Sequence, residues 1–189
     1  MIIIGTSAYC GSGQDTLADA IVKKYGFEKH SLGDFLREMA QNRGIKPSRE
    51  NLQMIRKELD KQFGRSYIPE RIAERILNNG KDAIITGLRT LEEYSIFKEK
   101  LGMYFIFVFA DKEIRFKRLM SRATDRDPSG REEFEKQNAS ELAMFDVAEL
   151  EKKCDFRFVC NMTLEEFWSD YENLLWQIPI LRDIKKTSS

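Results

Sequence analysis

Histidine is almost absent from this 189-residue sequence, with His30 its single instance. A histidine-rich metal site and an acid–base pair of two histidines are therefore both excluded. Cysteine is scarce as well: Cys10, Cys154 and Cys160 are odd in number and show no CxxC spacing. That pattern argues against a zinc site or a disulfide framework and points to a reducing cytosol. Charge of one sign is not in excess, because 31 basic and 31 acidic residues cancel to a formal zero. A nucleic-acid coat and a polybasic membrane tether both need a positive surplus, so neither is expected, although a local basic pocket remains open. The opening Met1–Ile4 run is too short for a signal peptide or a membrane span. No internal repeat, low-complexity linker or shift in composition divides the chain. What remains is 42% hydrophobic and 33% charged residues, enough core under a charged skin for one soluble, cytoplasmic domain.

Short apolar runs alternate with longer amphipathic ones. Strands are expected at Met1–Gly5, Glu28–Ser31, Lys81–Thr86, Met103–Ala110 and Phe156–Cys160. Between them, helices fit Gln14–Tyr25, Asp34–Asn42, Arg49–Phe63, Ile68–Leu77, Leu91–Leu101, Lys112–Arg122 and Arg131–Lys153. A last helix fits Thr163–Trp176, opened by a Thr163–Glu166 capping box. Strands that alternate with helices indicate an α/β protein: a three-layer, doubly wound, five-stranded parallel sheet. Ligands of such folds sit beyond the carboxyl ends of the strands, so the loops after Gly5, Ser31, Thr86, Ala110 and Cys160 are the places to search.

The loop after the first strand runs Thr6-Ser7-Ala8-Tyr9-Cys10-Gly11-Ser12-Gly13-Gln14-Asp15-Thr16. A phosphate-binding loop has the form G-x-x-x-x-G-K-[ST] between a strand and a helix, and its glycines let successive backbone N–H groups turn onto an anion. Aligned on Gly13, this sequence has Ala8 for the first glycine, Gln14 for the lysine and Asp15 for the hydroxyl residue. An amide at position 14 hydrogen-bonds a phosphate oxygen but neutralises none of its charge. Asp15 is the candidate Mg²⁺ ligand, directly or through water. A glycine-rich turn without a ligand is the plainer alternative.

These residues resemble the nucleoside-monophosphate-kinase branch of P-loop NTPases. They are most similar to the small adenylate-kinase-related family of archaea and to the kinase-like domain fused to some deoxycytidylate deaminases. The resemblance is carried by Gly11–Ala18, Ser31–Glu38, Ile84–Arg89, Arg115–Arg122, Arg126–Phe134 and Asn161–Phe167. It implies one kinase-like domain over residues 1–180, with an acceptor-binding insertion near 33–79, a short lid near 123–131 and a tail at 181–189. It also implies roles. Gly11, Ser12, Gly13, Gln14, Asp15 and Thr16 would hold the donor, ATP with Mg²⁺, and Asn161 would lie near its base. Asp34, Arg37 and Arg89 would hold the acceptor, and Arg118, Arg122 and Arg126, with Gln14, would meet the charge of transfer. Thr86 departs from the usual aspartate. Arg118, Arg122 and Arg126 would share one helix face if that helix ran past Ala123. Arg115 and Lys117 read as its solvated side.

The implied activity is transfer of the γ-phosphoryl group of ATP to a nucleoside monophosphate or similar nucleotide. One alternative is a catalytically weak nucleotide-binding sensor, because Gln14 replaces the lysine. Another is a kinase acting on a hydroxyl, like dephospho-coenzyme A kinase, with Asp34 as the base. The partners implied are small nucleotides, with a homodimer or a deaminase-type partner left open. His30 reads as a hydrogen-bonded structural histidine, and Cys10 as a small space-filling residue rather than a reactive thiol.

Overall fold

Two periodicities in the sequence build the molecule, whose computed structural model describes residues 1–124, 127–182 and 184. The first half runs β1 (Ile3–Ala8), α1 (Gln14–Tyr25), β2 (Glu28–Ser31), α2 (Leu32–Asn42), α3 (Arg49–Phe63), α4 (Tyr67–Asn79) and β3 (Ala83–Thr86). The second runs α5 (Leu91–Leu101), β4 (Tyr104–Phe109), α6 (Lys112–Arg122), α7 (Arg131–Met144), α8 (Val147–Lys152), β5 (Phe156–Val159), α9 (Leu164–Trp176) and α10 (Pro179–Arg182). All strand pairs are parallel and the sheet order is β2-β3-β1-β4-β5. Successive strand side chains point to opposite faces. Ile3, Ala83, Ile85 and Phe105 accordingly join one core with α2–α5 and Leu150 of α8. Ile4, Ile84, Ile106 and Val108 join the other, with α1, α9 and α10. The result is the three-layer doubly wound sheet expected, with the strand order reversing on either side of β1.

β1 is longer than its apolar run. It continues through Thr6, Ser7 and Ala8, which pair with Ile106, Phe107 and Val108 of β4. Two polar residues are tolerated there because each hydroxyl has a partner: Thr6 donates to the Ile85 carbonyl at 3.3 Å and Ser7 to the Leu88 carbonyl at 2.7 Å. The ligand loop therefore begins after Ala8, not after Gly5. At Gly5 a Cβ would stand 2.0 Å from the Met103 sulfur, so this glycine lets Met103 pack against the strand.

One helix expectation is corrected. The Arg131–Lys153 stretch is broken at Phe145–Asp146, because Phe145 is extended and the Asp146 N–H bonds the Arg89 carbonyl at 2.9 Å. α6 stops at Arg122, with Ala123 in the left-handed region at φ 44°. The helix thus ends where expected, so the condition for a face shared with Arg126 is not met, and Arg126 itself lies outside the described residues. So does most of the tail, residues 183 and 185–189. Among the described residues, no helix is long and apolar enough to cross a membrane.

Candidate functional site

The loop between β1 and α1 is shaped from outside by two arginines of α6. Arg115 donates to the Cys10 carbonyl at 3.3 Å, and Arg118 to the carbonyls of Gly11 at 3.3 Å and Ser12 at 3.2 Å. Arg118 also bonds the carbonyls of Cys160 at 2.9 Å and Met162 at 2.5 Å, so one guanidinium ties the loop to the segment after β5. Gly11 and Gly13 supply the left-handed turns at φ 85° and 95°. A Cβ at Gly11 would lie 3.0 Å from the Arg115 carbonyl, so the loop also needs glycine to approach α6.

With three consecutive carbonyls drawn toward α6, the N–H groups are left over. Among the described residues, those of Gly11, Gly13, Gln14, Asp15 and Thr16 donate to no protein acceptor. Ser12 is buried in the same loop and its hydroxyl has no partner. Unmatched donors at the first turn of a 12-residue helix form an anion cradle, because the helix dipole adds positive potential there. This donor set fits the phosphate chain of a nucleotide.

Gln14 does not face that cradle. Its carboxamide folds back to donate to both the carbonyl and the hydroxyl of Thr6, each at 2.8 Å. Asp15 is largely exposed, 3.3 Å from the Lys29 ammonium. Among the described residues no group of three or more His, Cys, Asp or Glu side chains is arranged to hold a metal. Asp15 is the carboxylate at the first turn of α1, the residue there that could meet a divalent ion.

The expected arginines meet different fates. Arg89 follows β3 and its guanidinium pairs with Glu141 of α7 while lying 5.1 Å from the centre of the Phe145 ring. The other oxygen of Glu141 accepts the Cys10 N–H at 3.3 Å, so one carboxylate joins Arg89 to the phosphate loop. Arg122 is clamped to Asp127 through Nε at 2.8 Å and through Nη2. That partner, with Thr124 donors, holds the Asp127 carboxyl far below the ordinary carboxylate range. Arg37 bonds Asp34 one turn away, at 2.9 Å from Nε, and no contact joins either residue to the loop among the described residues. Asn161 is locked to Asp111 by two bonds of 2.9 Å at the carboxyl ends of β4 and β5.

Arg115 reverses its expected place on the solvated face: it is 6% exposed, wedged between Tyr9 and Phe134, and bonded to Asn138 at 2.9 Å. Burial lowers its pKa. Burial and a bond to Glu151 push the Tyr9 phenol up to about 12. The Cys10 thiol is raised by surrounding protein atoms and then by Glu141, which keeps it protonated despite the nearby helix terminus. His30 is structural, but its Nε2 is buried without a hydrogen-bond partner and burial lowers its pKa. Glu141 and Asn138 were not anticipated. Their spacing from buried Phe134, at positions 134, 138 and 141, is that of one helical face and was the available signal.

Comparison with known proteins bears on the family and the fold. A family model described as an AAA domain matches residues 8–135. A UPF0200 protein of Hyperthermus butylicus is 33% identical over 176 residues, covering 92% of this chain and 93% of its own length. A UPF0200 protein of Methanocaldococcus jannaschii is 28% identical over 181 residues, covering 94% and 91%. Among solved structures, shikimate kinase from Bacteroides thetaiotaomicron superposes with a TM-score of 0.61 at 16% identity, over 96% of this chain and 98% of that one. A sugar kinase from Janibacter gives 0.59 at 17% identity with the same coverage. At those identities the likeness concerns the fold, which is that of the P-loop kinases.

Proposed function

We propose, for a chain that belongs to the UPF0200 family and carries a P-loop kinase-like AAA domain, that it binds a nucleoside triphosphate and passes its γ-phosphoryl group to a nucleotide acceptor. The observation that carries the reading is the loop itself. Its carbonyls are held outward by Arg115 and Arg118, and the N–H groups of Gly11, Gly13, Gln14, Asp15 and Thr16 have no protein acceptor among the described residues. An acceptor phosphate oxygen is already anionic and needs no general base. It attacks the γ-phosphorus, the bond from that phosphorus to the β–γ bridging oxygen breaks, and the diphosphate leaves with the electron pair. The protein's task is alignment and charge compensation.

In this reading the cradle and Ser12 hold the donor phosphates, and Asp15 meets Mg²⁺, which supplies charge neutralisation when bound. Arg89, at the carboxyl end of β3, grips the acceptor phosphate with Arg37 across the cleft. Arg122 is released from Asp127 to face the transferring group, and Arg126, outside the described residues, is assigned the same role on the family resemblance alone. Arg118 acts through the loop it anchors. The acceptor helices α2–α4 form one side and the segment near 123–131 closes over the other. Asn161 borders the base.

A second reading, a nucleotide-binding sensor with little turnover, is favoured by one specific contact. Gln14 is engaged with Thr6 and brings no positive charge to the phosphates. Loss of one such charge costs on the order of 100-fold or more in rate. Thermal-shift titration with ATP and ADP, with and without Mg²⁺, decides whether nucleotide binds. Coupled detection of ADP with a panel of nucleoside monophosphates decides whether it turns over. Turnover lost in Arg89→Ala supports the enzyme. Binding without turnover, with turnover gained in Gln14→Lys, supports the sensor. No stabilisation by either nucleotide sinks both readings.

A further inference from the structure

Glu141 is a buried carboxylate that touches the phosphate loop itself. It sits on α7, only 8% exposed. One oxygen takes the Arg89 guanidinium and the other accepts the Cys10 N–H at 3.3 Å. One turn earlier on the same face, Asn138 bonds Arg115 at 2.9 Å, and Arg115 in turn bonds the Cys10 carbonyl. α7 is thus docked by two polar side chains onto both sides of the Cys10 peptide. An acceptor that satisfies a loop N–H and an arginine together, with two oxygens sharing one negative charge, has the bonding pattern of a phosphate group.

We infer that Glu141 is an internal stand-in for the ligand's phosphate and a determinant of which anions the site accepts. The inference rests on the nucleotide-binding reading above. With Glu141 in place, Arg89 and the Cys10 N–H are satisfied, so binding is an exchange in which an incoming phosphate takes both partners and the carboxylate withdraws. A small monoanion offers little beyond what Glu141 already gives. A polyphosphate also fills the unpartnered N–H groups of Gly11–Thr16 and gains bonds that Glu141 does not make. The site therefore discriminates against simple anions in favour of ligands that span from the loop to Arg89. Exchange also keeps Arg89 from standing uncompensated in the empty cleft.

The test is calorimetric titration of the whole chain with inorganic pyrophosphate and with inorganic phosphate, comparing wild type with Glu141→Gln. The variant is expected to bind both anions more tightly, by about tenfold or more for the one buried charge removed from competition. Its preference for pyrophosphate over phosphate is expected to narrow. Equal or weaker binding of pyrophosphate by Glu141→Gln, with ordinary binding by the wild type, overturns the inference and leaves the nucleotide reading standing. No binding of pyrophosphate or ATP by either protein overturns both. Should Glu141→Gln not fold, the wild type carries the test through carboxyl ¹³C NMR of labelled glutamate. The Glu141 resonance is expected to shift on saturation with pyrophosphate, and a saturated protein with an unmoved resonance overturns the inference.

Discussion

Arg118 on α6 and Cys160 after β5 are joined by a 2.9 Å bond from guanidinium to carbonyl, and the same side chain holds the Gly11 and Ser12 carbonyls. This arginine is a strut between the phosphate loop and the last βα connection. Arg118→Met keeps the aliphatic stem and removes the strut. The expected loss is about 2–4 kcal/mol in urea unfolding, given charged bonds to several carbonyls, together with a smaller thermal shift on adding ATP. An unchanged unfolding midpoint would return Arg118 to a purely ligand-facing role.

Glu93 fixes the turn between β3 and α5. Its carboxylate is 1% exposed and accepts the N–H groups of Arg89 at 2.7 Å and Thr90 at 3.1 Å and the Arg56 guanidinium at 2.8 Å. Glu93→Leu leaves the Arg89 and Thr90 N–H groups unmatched and reduces the partly buried Arg56 to its longer contact with Asp60 at 3.4 Å. The variant is expected to lose about 3–5 kcal/mol. Glu93→Gln keeps the packing volume and is expected to lose less. Urea unfolding of the two variants side by side gives the comparison.

His30 sets a pH dependence near neutrality. Burial lowers its folded pKa below the ordinary value of about 6.5. Glu28, 3.7 Å away, opposes the shift and Arg75 adds to it. The unfolded chain then binds the proton more readily, so stability falls as pH drops below about 6.5 toward the folded value. Thermal unfolding between pH 7.5 and 5.5 should show this slope in the wild type (pH values roughly bracketing that pKa). The slope should flatten in His30→Gln.

Asp127 governs a second, more acidic window. Its carboxyl is held low by Arg122 and Thr124, so its contribution is present above the unfolded value of about 3.9 and is lost as pH falls below it. Arg122 is half exposed, which keeps the effect modest. Protection of the Thr124 and Asp127 amides, taken relative to the intrinsic exchange rate at each pH, should fall on acidification, and Asp127→Asn should show low protection already at neutral pH.

Much of this was legible from residue pattern. The five strands, the parallel order they imply and the loop at Gly11–Gly13 follow from apolar period and glycine placement, because a buried parallel strand leaves few other readings. The misses share a cause. Arg115 resembles a solvated helix residue until Tyr9 and Phe134 are packed around it. Gln14 reads as a weakened phosphate ligand until Thr6, eight residues earlier, proves to be its partner. The Arg131–Lys153 helix breaks because of a bond to Arg89, far off in sequence. Such tertiary partners leave no trace in local periodicity.

That break gives α7 a mechanical property. At its carboxyl end the Asp146 N–H is bonded to Arg89 and the Asp146 carboxylate to the Leu91 N–H at 3.0 Å. At its amino end the helix begins directly after Gly130, which continues the segment bearing Asp127. An α-helix is stiff over such a length, and α7 is pinned at Arg131 to Glu113, at Asn138 to Arg115 and at Asp146 to Arg89, so a displacement at one end is resisted along the whole helix. One rod thus fastens the phosphate loop, the turn after β3 and the segment ahead of Gly130 into a single unit.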